Sequence, residues 1–138
     1  MITRKQYPNH HVYEMEIGGR AFTVETGKVA ELANAECICR YGDTVVLVTC
    51  TCNPIPKAGI DYFPLTIEFE ERMYSVGRIP GSFNRREGKP SDRGILNSRI
   101  IDRPMRPLFD EELRNDTVVT CTVLANDHEN PVETGAPL

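Results

Sequence analysis

The 138-residue chain has no run of about 18 apolar residues, which excludes a membrane-spanning helix. The stretch from Met1 to Pro8 has no apolar centre, so no secretory leader is expected there. Internal repeats and low-complexity tracts are absent. An overall positive charge is missing too: 16 Lys and Arg face 20 Asp and Glu, a formal net charge of −4. On totals alone, a mildly acidic chain argues against a dedicated nucleic-acid binder. What is present is ordinary globular composition, 40% hydrophobic and 26% charged, unlike that of a disordered chain. The length suits one domain.

The charge is unevenly placed. Residues 78–106 hold eight basic side chains, Arg78, Arg85, Arg86, Lys89, Arg93, Arg99, Arg103 and Arg106, against Glu87, Asp92 and Asp102. That stretch is net +5 and the remainder net −9. A basic island in an acidic chain points to an anionic partner with a defined docking place.

The five cysteines, Cys37, Cys39, Cys50, Cys52 and Cys121, are odd in number. With no leader, free thiols are expected. The two C-x-C pairs invite a zinc reading, which strand geometry opposes. Tyr41-Gly42-Asp43-Thr44 reads as a tight turn between strands 36–41 and 44–51. With Gly42-Asp43 at its centre, Cys37 faces Val48, Cys39 faces Val46 and Cys50 faces Ala35. The four cysteines then share one face, but Cys39 and Cys52 lie roughly 20 Å apart at about 3.3 Å per residue. They cannot converge on one tetrahedral ion, and packing as small hydrophobes is the expectation.

Val12 to Val24 alternates about Gly18-Gly19 and predicts a half-buried hairpin, with Tyr13, Met15, Ile17, Phe22 and Val24 on one face. Further extended stretches are Tyr62–Phe69 and Thr117–Leu124. One helix is predicted, 91–103. Ser91 can cap it, Asp92 suits its first turn, and Ile95, Leu96, Ile100 and Ile101 give it an apolar stripe. Pro104 should end it, and Gly94 weakens it by up to about 1 kcal/mol. Strands preceding one clear helix read as α+β with a largely antiparallel or mixed sheet.

Arg99 and Arg103 are four apart and share a helix face, with Arg106 just beyond. Like charges at that spacing repel, so acidic groups are expected nearby. Asp102 and the cluster Glu68, Glu70 and Glu71 could supply them in a structural network. Phosphates of a polyanion, or a small anionic metabolite, could do so instead. Upstream, the Gly- and Pro-rich stretch 77–90 reads as a loop. There a base can stack on Phe83 while Arg85 and Arg86 take the backbone. His10, His11 and His128 are not expected to be ligands. Asp110-Glu111-Glu112 reads as a solvated helix start.

Gly77 to Ser91 (GRIPGSFNRREGKPS), followed by Ser98 to Phe109 (SRIIDRPMRPLF), resembles the first core domain of the polynucleotide phosphorylase family. Arg40 to Thr49 (RYGDTVVLVT), Gly59 to Thr66 (GIDYFPLT), Arg72 to Tyr74 (RMY) and Val123 to Pro131 (VLANDHENP) fit in register. The match runs from about Val12 to Pro131. The resemblance implies a ribonuclease PH-like α+β domain, related to a ribosomal-protein fold, in a cytoplasmic or organellar RNA-degrading enzyme, with the cytoplasm as the expected place. It implies phosphorolysis of single-stranded RNA from the 3′ end by inorganic phosphate, with release of nucleoside diphosphates and RNA tailing in reverse. A magnesium or manganese ion, a homotrimeric ring and company with other RNA-degradation proteins are implied as well. The implied RNA-binding residues are Phe83, Arg85, Arg86, Arg99, Arg103 and Arg106. Asn84 stands where the family often has a second aromatic or aliphatic residue, and Ala35 where a glycine is usual.

Family members are several times longer. The resemblance places the phosphate and metal site in their second core domain. Residues 1–138 therefore read as the N-terminal portion of the first, without catalytic residues or metal ligands of its own and inactive alone. The alternative is a non-catalytic RNA-binding or ring-assembly module.

Overall fold

A computed structural model of the chain describes residues 7–79 and 90–127. Strands β1 (His11–Ile17) and β2 (Arg20–Thr26) form the first hairpin. Gly18 and Gly19 make its turn at φ of 59° and 77°, the left-handed conformations that a two-residue hairpin turn uses and that side chains with a Cβ resist. Tyr13 lies opposite Val24 and Met15 opposite Phe22, the register that the alternation predicts. The predicted half-burial fails for β1. Six of its seven residues are exposed, because it is an edge strand whose one substantial neighbour among the described elements is β2. On β2, Phe22 is buried beside Tyr41, with ring centroids 6.4 Å apart.

Strands β3 (Ala35–Tyr41) and β4 (Thr44–Pro56) make the second hairpin. Cys37 lies opposite Val48, Cys39 opposite Val46 and Ala35 opposite Cys50, as the turn at Gly42-Asp43 requires. The link from β2 is held by Glu36. Its Oε1 accepts the N–H groups of Gly27, Lys28 and Val29 at 2.5, 2.9 and 3.4 Å.

Strand β5 (Leu65–Glu71) starts three residues later than the extended stretch predicted from Tyr62. Pro64 has no N–H to offer a ladder. Phe63 is nonetheless buried and packs on Phe109, centroids 5.0 Å apart. Helix α1 (Asp92–Met105) then leads to β6 (Asn115–Ala125). The sheet order is β1-β2-β3-β4-β6-β5. β6 is antiparallel to β4 and parallel to β5, so the sheet is mixed and the β5–α1–β6 segment is a crossover unit.

Ser91 caps α1, its Oγ accepting the Gly94 N–H at 3.0 Å. The helix runs through Pro104 to Met105, two residues past its predicted end. Proline's preference against helix at the preceding residue is a bias. Here it is outweighed by Met105 packing on the core and by Arg106 hydrogen-bonding back to β5. The buried face of α1 is Gly94, Asn97 and Ile101. Of the predicted stripe only Ile101 is buried. Leu96 is 62% and Ile100 57% exposed, and Ile95 is exposed as well. Gly94 is what lets the helix approach: a Cβ there would lie 3.3 Å from the Phe69 carbonyl.

The core joins Val46, Phe63, Leu65, Phe69, Ile101, Val119, Cys121 and Val123. It sits between α1 and the β4-β6-β5 side of the sheet. Asp110-Glu111-Glu112 is a turn and not a helix start. The Asp110 carboxylate accepts the Glu112 N–H at 2.9 Å, a local bond that competes with helix.

Candidate nucleic-acid interface

Of the six candidate RNA-binding residues, Phe83, Arg85 and Arg86 lie outside the described residues, as does His128. Arg99, Arg103 and Arg106 belong to α1 and the 3-10 turn Arg106–Leu108 that follows it. At 100° per residue, Arg99 and Arg103 lie on the helix face turned away from Gly94, Asn97 and Ile101. Both are exposed, and neither has an ion-pair partner among the described residues. Leu96 and Ile100 adjoin them. The result is an outward face with two cations and two aliphatic side chains.

Arg106 is placed differently. Its Nη1 donates to the Phe63 carbonyl at 3.1 Å, and its Nη2 donates to the Leu65 carbonyl at 3.3 Å and to Asp102 Oδ1 at 2.8 Å. This guanidinium ties the end of α1 to the start of β5. The i,i+4 spacing from Asp102 was a readable signal in the sequence. The carbonyl contacts had none, because they join segments separated by more than forty residues. Two of the three acids of β5 are otherwise engaged: Glu70 pairs with Arg72 at 2.5 Å and Glu71 accepts from Ser91 Oγ at 3.4 Å. No ion pair joins an acid of β5 to Arg99 or Arg103 among the described residues.

A second charged cluster lies on the first two hairpins. Glu25 receives Lys28 at 3.2 Å, Arg40 at 3.5 Å and His10 at 3.6 Å. The Lys28 hydrogen bond above all holds its carboxyl below the usual carboxylate range.

The cysteines divide by depth. Cys39 and Cys121 are buried, and Cys37, Cys50 and Cys52 half-buried. Burial pushes the Cys121 thiol up to about 11 and raises Cys50. The thiol–thiol contact between Cys37 and Cys39 lowers the first and raises the second.

Comparison with known proteins places these features. Residues 18–135 match the model of the "3′ exoribonuclease family, domain 1". Among curated relatives, a polyribonucleotide nucleotidyltransferase of Ruminiclostridium cellulolyticum is 53% identical over 90% of this chain. One of Heliobacterium modesticaldum is 54% identical over 87%. The chain spans about 18% of the length of the first and 17% of the second. Among solved structures, rice Rrp46 superposes with a TM-score of 0.61 at 15% identity, covering 84% of this chain and 50% of that one. A chain of the Archaeoglobus fulgidus exosome with RNA bound to the active site gives 0.54 at 18% identity, covering 95% and 50%. At such identities these two show the fold alone, a ribonuclease PH-like one. With the family model matched over nearly the whole sequence, the chain belongs to the 3′ exoribonuclease family, domain 1.

Proposed function

We propose that residues 1–138 are the N-terminal portion of the first core domain of a 3′-to-5′ phosphorolytic exoribonuclease. In the longer enzyme an oxygen of inorganic phosphate attacks the phosphorus of the terminal phosphodiester. A P–O bond forms, the bond to the preceding O3′ breaks, and that oxygen takes up a proton. A nucleoside diphosphate leaves, and the reverse reaction tails RNA. The observation that carries this reading is identity above one half, over about 90% of the chain, to proteins named polyribonucleotide nucleotidyltransferase.

Within that enzyme this chain supplies RNA contacts. Arg99 and Arg103 offer unneutralised positive charge to phosphates, and the neighbouring aliphatic groups offer contact to bases. Arg106 adds charge while fixing the helix that carries the other two. Phe83 stacks a base, and Arg85 and Arg86 take the backbone. The enzyme works in the cytoplasm as a homotrimer around a central RNA channel, alongside other RNA-degradation proteins. No helix among the described residues is long and apolar enough to cross a membrane.

A magnesium or manganese ion belongs to this chemistry. No three of His, Cys, Asp and Glu among the described residues are placed to hold one. The described part therefore does not fit that site.

The test is binding of the 138-residue chain to fluorescent oligo(A) across a salt series, with nucleoside diphosphate release assayed in parallel. Salt-sensitive binding without phosphorolysis is expected. Nucleoside diphosphate release by this chain alone would overturn the siting of catalysis elsewhere. Salt-insensitive binding, or none, would count against the arginine contacts.

A further inference from the structure

The sheet ends in two edge strands, β1 and β5. They are not equally guarded. At β5, Arg106 Nη2 donates to the Leu65 carbonyl at 3.3 Å, and α1 packs on the strand. At β1 six of seven residues are exposed, and the strand carries no proline, lysine or arginine. Proline and lysine are common guards of a free edge. β1 pairs with β2 along its whole length in one unbroken register, so no bulge turns it away either.

The turn fixes what this edge offers. In a hairpin closed by a two-residue turn, the flanking pair exchanges hydrogen bonds, and bonded pairs then alternate along the strands. Ile17 and Arg20 are that pair. Met15, Tyr13 and His11 therefore direct their N–H and C=O groups into β2. Those of Val12, Glu14 and Glu16 point to the open side. The side chains alternate as well. Tyr13 and Met15, 56% and 49% exposed, lie on one face, and Glu14 and Glu16 on the other. Both glutamates are exposed, and neither has an ion-pair partner among the described residues.

A second copy of this chain does not suit the edge. Two copies of β1 joined antiparallel in one sheet are related by a two-fold axis perpendicular to it, so like faces meet. The register that aligns the whole strand sets Glu14 against its own counterpart, and like charges directly opposite each other destabilise. The complementary strand has basic side chains opposite Glu14 and Glu16 and apolar ones beside Tyr13 and Met15.

We propose that β1 is a docking edge for an extended protein segment that alternates basic and apolar residues. The segment adds as a further strand, antiparallel to β1. Main-chain bonds to Val12, Glu14 and Glu16 supply affinity, and the alternating side chains supply specificity. This edge lies at the other end of the sheet from β5, on which α1 packs. The proposal does not rest on the RNA-contact reading.

The test titrates the 138-residue chain into a fluorescent, end-blocked heptapeptide of alternating lysine and valine, read by anisotropy. One control peptide alternates glutamate and valine. The other holds the same lysines and valines in two blocks. Saturable binding of the alternating basic peptide alone is expected. Glu14→Lys with Glu16→Lys should weaken it by about tenfold and confer binding of the acidic peptide, because opposite charges across strands stabilise and like charges destabilise. Circular dichroism of the variant separates lost binding from lost structure. A second measurement needs no variant: the peptide should slow exchange of the backbone amide hydrogens of Val12, Glu14 and Glu16, and leave those of Tyr13 and Met15, already bonded to β2, unchanged. No binding of the alternating basic peptide, equal binding of the block peptide, binding that survives charge reversal, or slowed exchange confined to β5 or α1 would each overturn the proposal. A free chain that sediments as a dimer with the Val12, Glu14 and Glu16 amides already slow would overturn it too, and assign the edge to a second copy.

Discussion

Arg106 reaches back one helical turn to Asp102, Nη2 to Oδ1 2.8 Å, while the same guanidinium donates to the Phe63 and Leu65 carbonyls on the strand side. One side chain thus closes α1 and docks it. Arg106→Ala removes donors from two carbonyls, and a buried group left unsatisfied costs about 1–3 kcal/mol. The ion pair is partly exposed and contributes only about 0.2–1 kcal/mol. Arg106→Ala should therefore destabilise by about 1–2 kcal/mol in urea unfolding, and Asp102→Ala by less than half of that. Equal losses would assign the stabilisation to the ion pair instead.

Arg99 and Arg103 should behave in the opposite way. Both are exposed and unpartnered among the described residues, so replacing both with Ala should leave stability within about 0.5 kcal/mol. The salt slope of RNA binding should flatten by about 1.4, at about 0.7 per lost single-strand phosphate contact. A slope equal to that of the unsubstituted chain would remove these two from the RNA surface.

The helix start offers a paired test. Ser91→Ala removes the cap on Gly94 N–H and should cost about 1 kcal/mol. Gly94→Ala has a helix-propensity gain of up to about 1 kcal/mol in its favour. The added Cβ, however, meets the Phe69 carbonyl of β5 at 3.3 Å, and strand backbone yields poorly. Net destabilisation is expected in thermal melts. A raised midpoint would mean that the helix can shift on the sheet.

Glu25 sets an acid limb. Its carboxyl titrates lower in the folded chain than in the unfolded one, chiefly through Lys28. The unfolded state therefore binds more protons in that range, and stability rises with pH. The contribution of Glu25 is complete above the unfolded carboxyl range and is lost as pH falls through the lower, folded value. Glu25→Gln should flatten the stability profile on the acid side, and added salt should do so in part. An unchanged acid limb in that variant would locate the pH dependence in other carboxylates.

Much of the fold was legible because hairpins are local. Gly18-Gly19 and Gly42-Asp43 define registers that carry through their strands with period two, so Met15–Phe22 and Cys37–Val48 followed from the turns. The Ser91 cap was legible for the same reason. Burial was not. The alternation in β1 marks an apolar face, but cover comes from other elements, and among the described residues none lies there. The helix stripe was misread likewise: Gly94, Asn97 and Ile101 face the sheet, while Leu96 and Ile100 point outward. Hydrophobic periodicity states which faces could be buried, and packing partners decide which are.

The same division holds for the candidate sites. The sequence by itself determined the family, through several ordered motifs, and the basic island of net +5 within a chain of net −4. It also determined that Arg99 and Arg103 share a face, because 3.6 residues per turn leaves no choice. Only the tertiary structure decided that Arg106 is bound to the Phe63 and Leu65 carbonyls at the start of β5, and that β6 enters between β4 and β5. It alone set Cys37 Sγ 3.9 Å from Cys39 Sγ, and gave Cys52 Sγ the Thr117 hydroxyl at 3.5 Å. The physical reason is common to all three. Backbone periodicity follows from chain geometry within a few residues, whereas these outcomes depend on contacts between side chains and segments that only the assembled sheet and helix bring together.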